Sequence, residues 1–149
     1  MANSETLRDL IRINNDRVTG YSKAATQTDD QDLQSLFSNL AQQSRQFASD
    51  LRRLISDSDK DVTDETTTAG KIYRAWMDVK ATFGGDDRHG ILASCEFGED
   101  AAQKAYKDAL NENDKSDTGD EVLIQIECIN IKLKHSWNSV HLFLVIASV

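Results

Sequence analysis

Apolar residues recur at intervals of three and four along most of the chain, the spacing of one face of a helix. Leu7, Leu10, Ile11, Asn14, Val18, Tyr21 and Ala25 predict a first helix over about 5–27, which Thr28, Asp29 and Asp30 end and cap. A second helix over 30–55 carries Leu33, Leu36, Phe37, Leu40, Ser44, Phe47, Leu51, Leu54 and Ile55, and the polar run 56–65 reads as a loop. A shorter helix over 67–83 places Ile72, Trp76, Val79, Lys80 and Phe83 on one side before Gly84-Gly85 breaks it. Asp86 or Asp87 then caps a helix over 87–110 whose stripe is Ile91, Leu92, Cys95, Glu99, Ala102, Tyr106, Ala109 and Leu110. After a polar loop at 111–117, Thr118-Gly119-Asp120-Glu121 has the form of a capping box and opens a last helix over 119–145. That helix carries two apolar lines: Val122, Ile126, Ile129, Leu133, Val140 and Leu144, and Ile124, Cys128, Ile131, His135 and Leu142. No stretch alternates as a strand would.

Four long amphipathic helices bury their stripes most economically against one another, so the expected fold is all-α, a single helical-bundle domain over 1–149. The first connection is short, which makes helices one and two antiparallel neighbours. The second is about 30 residues and contains its own short helix, enough to cross the bundle and let helices two and three run parallel. One long crossover is the ferritin-like connectivity. A weak internal repeat points the same way: Asn14 precedes Tyr21 by seven, Glu99 precedes Tyr106 by seven, and Ala24 and Ala109 follow their tyrosines by three.

Composition narrows the partners. Lys+Arg 17 against Asp+Glu 25 gives a net charge of −8, which argues against a nucleic-acid groove or an anionic membrane face. The N-terminus lacks the basic start and apolar core of a secretory signal. The longest apolar stretch, 140–149, is too short to span a bilayer. It reads as the buried end of the last helix or as a face for homodimerisation or a protein partner. Cys95 and Cys128 form neither a disulfide framework nor a zinc ribbon, and read as free buried thiols in the cytoplasm.

Di-iron chemistry in such a bundle needs, from each half, one Glu on the first helix and a Glu-x-x-His on the second. No Glu-x-x-His occurs in the chain. Glu99 sits where a ligand should, and His135 lies on the last helix with Lys132 three before it, in the place of the expected Glu. In the first half Asn14 takes the Glu position, and Ser44 and Phe47 stand for the helix-two pair. Two of six ligand types remain, and lysine and phenylalanine remove the logic of the rest. The interior therefore reads as a polar core cluster of Asn14, Tyr21, Ser44, Glu99, Tyr106, Lys132 and His135, with Glu99 paired to Lys132. No cofactor is expected; the alternative is iron held by Glu99 and His135.

Other candidates carry less. Glu96, Glu99 and Asp100 form an acidic cluster that reads as a solvated helix face, with Lys104 placed to pair with Asp100. His89 and His141 stand alone, without metal-ligand spacing. Cys95 and His135 have the residue types of a nucleophile pair, but a thiol in a buried stripe with acidic neighbours is inert. Trp76 and Trp137 are expected in the core. Neither a phosphate-binding loop nor a nucleotide fingerprint occurs.

Three stretches carry a family resemblance: Ile13-Asn14-Asn15-Asp16-Arg17-Val18-Thr19-Gly20-Tyr21; Tyr73-Arg74-Ala75-Trp76-Met77-Asp78-Val79-Lys80 with Ile91-Leu92; and Cys95-Glu96-Phe97-Gly98-Glu99-Asp100 with Tyr106 and Ala109-Leu110. His135 also fits. Over about 7–138 the chain resembles a bacterial family of unknown function whose members are ferritin-like four-helix-bundle proteins. The resemblance implies an up-down bundle with a crossover helix and brings no activity, cofactor or catalytic residue. The chain departs from that family at 140–149, apolar where the family carries charge. The reading that follows is a non-enzymatic structural, stress-associated or interaction module with a degenerate di-iron site; the alternative is an iron-binding or oxidase-type protein with a reduced ligand set.

Overall fold

A computed structural model describes residues 4–55, 88–113 and 120–147. These residues form four α-helices: α1 Ser4–Thr26, α2 Gln31–Arg53, α3 Arg88–Asn113 and α4 Asp120–Ala147. No described residue is in a strand. The expected helix over 67–83 with Trp76, the caps at Asp86 or Asp87, and Thr118-Gly119 lie outside the described residues. Residues 111–113, expected in a loop, continue α3 by most of a turn.

The turn between α1 and α2 shows how local chemistry sets the entry angle. Asp30 is the N-cap of α2, with extended backbone (φ −71°, ψ 113°), but its side chain makes no capping bond. Thr28 acts instead: its Oγ1 accepts from the Asp30 amide at 3.2 Å, and its carbonyl accepts from Gln34 Nε2 at 2.8 Å. The carboxylates of Asp30 and Asp32 are thereby available to Arg88 at the start of α3, at 2.7 and 2.9 Å. This clamp holds Asp32 below the usual carboxylate range, chiefly by the Arg88 hydrogen bond. All three side chains are partly exposed, so solvent screens the interaction.

The clamp also fixes direction, because it brings the N-termini of α2 and α3 to the same end. Cross-helix contacts agree. Along α1 and α3, Asn14 meets Tyr106 while Arg17 and Tyr21 meet Glu99, so the partner number falls as the first rises. Along α2 and α4, Ser136 bonds Gln43 at 2.7 Å and Lys132 lies over the Phe47 ring. Every neighbouring pair is antiparallel, and α2 and α3 run parallel. The main pairings are α1 with α2 and α3 with α4, and lesser contacts join α1 to α3 and α2 to α4.

The core is the expected stripes meeting. Leu7, Leu10 and Ile11 of α1, Leu33, Phe37 and Leu51 of α2, and Ile91 and Leu92 of α3 are buried. On α4 one line is chosen: Ile126, Ile129, Leu133 and Val140 are buried, while Ile124, Ile131 and Leu142 of the second line are exposed. Cys128 lies on that outward line and is exposed, which corrects its reading as a buried thiol. Trp137 is half-buried and stacks on His141 with ring centroids 4.6 Å apart. None of the described helices is long and apolar enough to cross a membrane.

Truncation should separate the two faces of α4. Leu133→Ala is expected to cost about 2–5 kcal/mol in denaturant unfolding. Lys132→Ala is expected to stay within about 0.5 kcal/mol. Equal losses would show that the helix is rotated from this register.

Candidate functional site

The interior between α1 and α3 holds a fully buried ion pair. Arg17 reaches across from α1, and its Nε and Nη2 donate to Glu99 Oε1 at 2.8 and 2.6 Å. Both side chains are wholly excluded from solvent. The Tyr21 hydroxyl donates to the same carboxylate oxygen. The other oxygen, Oε2, is buried and has no hydrogen-bond partner among the described residues. One turn away, Asn14 Nδ2 donates to Tyr106 Oη at 2.6 Å and to the Leu10 carbonyl at 2.8 Å. Arg17 Nη1 reaches Asn14 Oδ1 at 3.4 Å and joins the two groups.

Aromatic rings line the cation. The guanidinium carbon lies 5.6 Å from the Tyr21 ring centroid and 5.8 Å from that of Phe47. Phe47, placed by sequence at a ligand position, thus touches a cation through its ring face. Tyr21 in turn stacks on Phe37 at 6.0 Å. Two helices supply the polar atoms, and α2 supplies much of the apolar wall.

The internal repeat acquires a geometric meaning here. The upstream polar residue of each half meets the tyrosine of the other: Asn14 with Tyr106, and Glu99 with Tyr21. An antiparallel pair of related helices places its equivalent positions this way about a local two-fold. The symmetry breaks at the position three residues on, where α1 has Arg17 and α3 has Ala102, both buried.

The expected cluster is thus brought together only in part. Asn14, Tyr21, Glu99 and Tyr106 meet. Ser44 is buried, but its hydroxyl bonds the Leu40 carbonyl of its own helix at 2.7 Å. Lys132 and His135 are exposed, so the expected Glu99–Lys132 pair is replaced by Glu99–Arg17. The cause is the choice of line on α4: burying Ile129 and Leu133 turns Lys132 and His135 outward. The alternative iron pair, Glu99 with His135, is separated for the same reason.

The acidic cluster also divides. Glu99 is inside, Asp100 is exposed, and Glu96 Oε1 meets His141 Nδ1 at 3.2 Å. His141 therefore has a partner, contrary to its reading as isolated. Lys104 pairs with Asp108 at 2.6 Å instead of Asp100, taking the acid one turn ahead instead of one behind. Among the described residues, no group of three His, Cys, Asp or Glu side chains is placed to hold a metal.

Arg17 is the residue that sequence reasoning missed. It was hidden in a polar run, Asn14-Asn15-Asp16-Arg17, of which Asp16 is also buried. Its spacing was the available signal: three after Asn14 and four before Tyr21, on the same helix face.

Burial governs the protonation of the cluster. It alone would lower the Arg17 pKa, but the charge and hydrogen bonds of Glu99 outweigh it, and the net shift is upward. Burial and then the Glu99 charge push the Tyr21 hydroxyl and the Cys95 thiol well above their ordinary values. Tyr106 is also raised by burial, although the Asn14 bond opposes the shift.

Residues 2–112 match the family described as "Domain of unknown function (DUF2383)". The chain belongs to that family. The match spans the whole of α1 and α2 and nearly all of α3, and so both helices of the ionic cluster, while α4 lies beyond it. No curated protein and no solved structure matches the chain.

Two predictions follow from the cluster's energetics and protonation. Arg17→Met leaves Glu99 buried and unpaired, and should cost about 3–5 kcal/mol in equilibrium unfolding. The double replacement Arg17→Met/Glu99→Leu should recover most of that loss, because it removes both buried charges. Additive losses would contradict the pair.

The second concerns alkali. Cys95, Tyr21 and Tyr106 hold their protons more tightly when folded, above ordinary values of 9.0 and 10.0. Their contribution is fully present below about pH 9 and is lost as pH rises toward the elevated values, because the unfolded chain releases those protons first. Ultraviolet titration of a Tyr73→Phe variant, which keeps only Tyr21 and Tyr106, should show both tyrosines ionising only with unfolding. Free titration near pH 10 in the folded chain would contradict their burial.

Proposed function

We propose that this DUF2383 protein is a non-enzymatic structural or interaction module, built on a ferritin-like bundle whose metal-binding interior has been replaced by an internal ion pair. The observation that carries this reading is the Arg17 guanidinium seated on Glu99, at 2.6 and 2.8 Å. A carboxylate at this position of a di-iron bundle would face two cations. Here a guanidinium, fixed on the protein, occupies that role. The antiparallel neighbours and parallel α2 and α3 support the ferritin-like connectivity, in which one long crossover joins the two hairpins.

The residues fit a resident di-iron centre poorly. Glu99 Oε1 already accepts from Arg17 and Tyr21. Asn14 is engaged with Tyr106 and Leu10, Ser44 with Leu40, and Phe47 offers no lone pair. A metal at the remaining oxygen, Oε2, would set further positive charge beside the buried guanidinium, with one carboxylate between them. A bacterial cytoplasm, where thiols stay reduced, suits the two free cysteines.

The test is ferrous iron added to the purified chain without oxygen, followed by air. The reading expects no iron retained at one per chain or above after desalting, no charge-transfer absorbance, and an unchanged thermal midpoint. Retained iron with a charge-transfer band that Glu99→Gln abolishes would overturn it in favour of an oxidase-type site.

A further inference from the structure

The outward line of α4 has a regularity that the bundle does not use. Ile124, Cys128, Ile131, His135, Asn138, Leu142 and Val145 are separated by 4, 3, 4, 3, 4 and 3 residues. That is an uninterrupted repeat of 3.5, the seam of a two-stranded coiled coil. Each of the seven is exposed. Ile124 is 62% accessible, Ile131 46%, Leu142 58% and Val145 48%. The seam runs for about 32 Å along the helix at 1.5 Å per residue. It is distinct from the line that faces the core, Ile126, Ile129, Leu133 and Val140, which is buried. A helix apolar on both faces has a second face to cover.

We propose that a second copy of this chain covers this seam, with the two α4 helices parallel and in register about a two-fold axis. Charge beside the seam selects this partner and direction. In a parallel pair, the residue just before one seam position of one helix faces the residue five further along the other. Glu127 and Lys132 stand in that relation, and both are exposed, so a parallel dimer forms two symmetry-related Glu127–Lys132 pairs. The two antiparallel registers of greatest overlap would set Lys134 against His141 and Lys132 against Ser139, or Glu127 against His141 and Lys134 against its own copy, with no glutamate–lysine pair in either. Lys132 now lies 6.0 Å from the Phe47 ring, a weak contact that its flexible stem can give up.

Parallel register also stacks each seam residue on its own copy. Isoleucine, leucine and valine layers then lie on either side of His135 and Asn138, and two asparagine amides facing each other can exchange hydrogen bonds. Polar seam residues of this kind lower stability while specifying register. Cys128 meets Cys128 of the second copy, which gives the arrangement a chemical reporter. This deepens the interaction half of the proposed function, but it rests on the outward face of α4 and not on the Arg17–Glu99 interior. A chain that bound iron could still dimerise, so the two proposals fail separately.

The test uses the full chain. Sedimentation velocity should give a dimer at micromolar concentration, and Ile131→Glu/Leu142→Glu should give a monomer with unchanged helix content by circular dichroism. A short bis-maleimide should link wild-type chains through Cys128, and Cys128→Ser should abolish the link without changing the sedimentation. Glu127→Lys should weaken the dimer about fivefold, and adding Lys132→Glu should restore it. A wild-type monomer, as would follow if residues 56–87 or a different protein covered the seam, overturns the proposal. A dimer that survives the two glutamates overturns the surface. A dimer split by them but never linked at Cys128 overturns the parallel direction.

Discussion

Two charges that have left water together constrain the rest of this bundle. Arg17 and Glu99 stand 82 residues apart in sequence, on different helices, and neither side chain reaches solvent. Each is tolerable only while the other is in place, because an isolated buried charge is far more costly than a pair. The pair therefore sets one register between α1 and α3. A slide of one turn would set the guanidinium against Cys95 or Ala102 and part it from its counter-charge. The surrounding aromatic side chains, Tyr21, Phe37 and Phe47, exclude water and strengthen the attraction. Hydrophobic burial supplies the drive to collapse, and the ion pair selects among the ways four amphipathic helices could do so.

Most of this architecture is legible in the residue pattern. The stripe through Leu7, Leu10, Ile11 and Tyr21 and that through Ile91, Leu92, Cys95 and Tyr106 give the helices and their inward faces, because a 3.6-residue period leaves little choice. The turn between the first two helices falls within a residue or two of where Thr28, Asp29 and Asp30 put it. The candidate site is legible in part. Glu99 and its tyrosines stand out because a charge or hydroxyl on an apolar stripe demands a partner.

What the pattern hides is the partner's identity. Arginine in a polar stretch looks solvated, and only its spacing to Asn14 and Tyr21 places it inward. α4 is harder still, since it carries two apolar lines and sequence periodicity cannot rank them. Choosing the wrong one brings Lys132 and His135 inside, whereas packing against α2 and α3 turns them out. The same ambiguity is informative in another way: a helix of a small bundle needs one apolar face, and the second, with its coiled-coil period, faces outward. The interior and the outer seam thus answer different demands, the first to satisfy buried charge and the second to cover exposed hydrocarbon.

If Arg17 is locked to Glu99 away from water, nitrogen NMR of the arginine-labelled protein will show its Nε–H protected from solvent exchange, with magnetisation transfer to the Tyr21 side chain, and that protection will be lost in Glu99→Gln. An Arg17 signal that exchanges as fast as those of exposed arginines would contradict it.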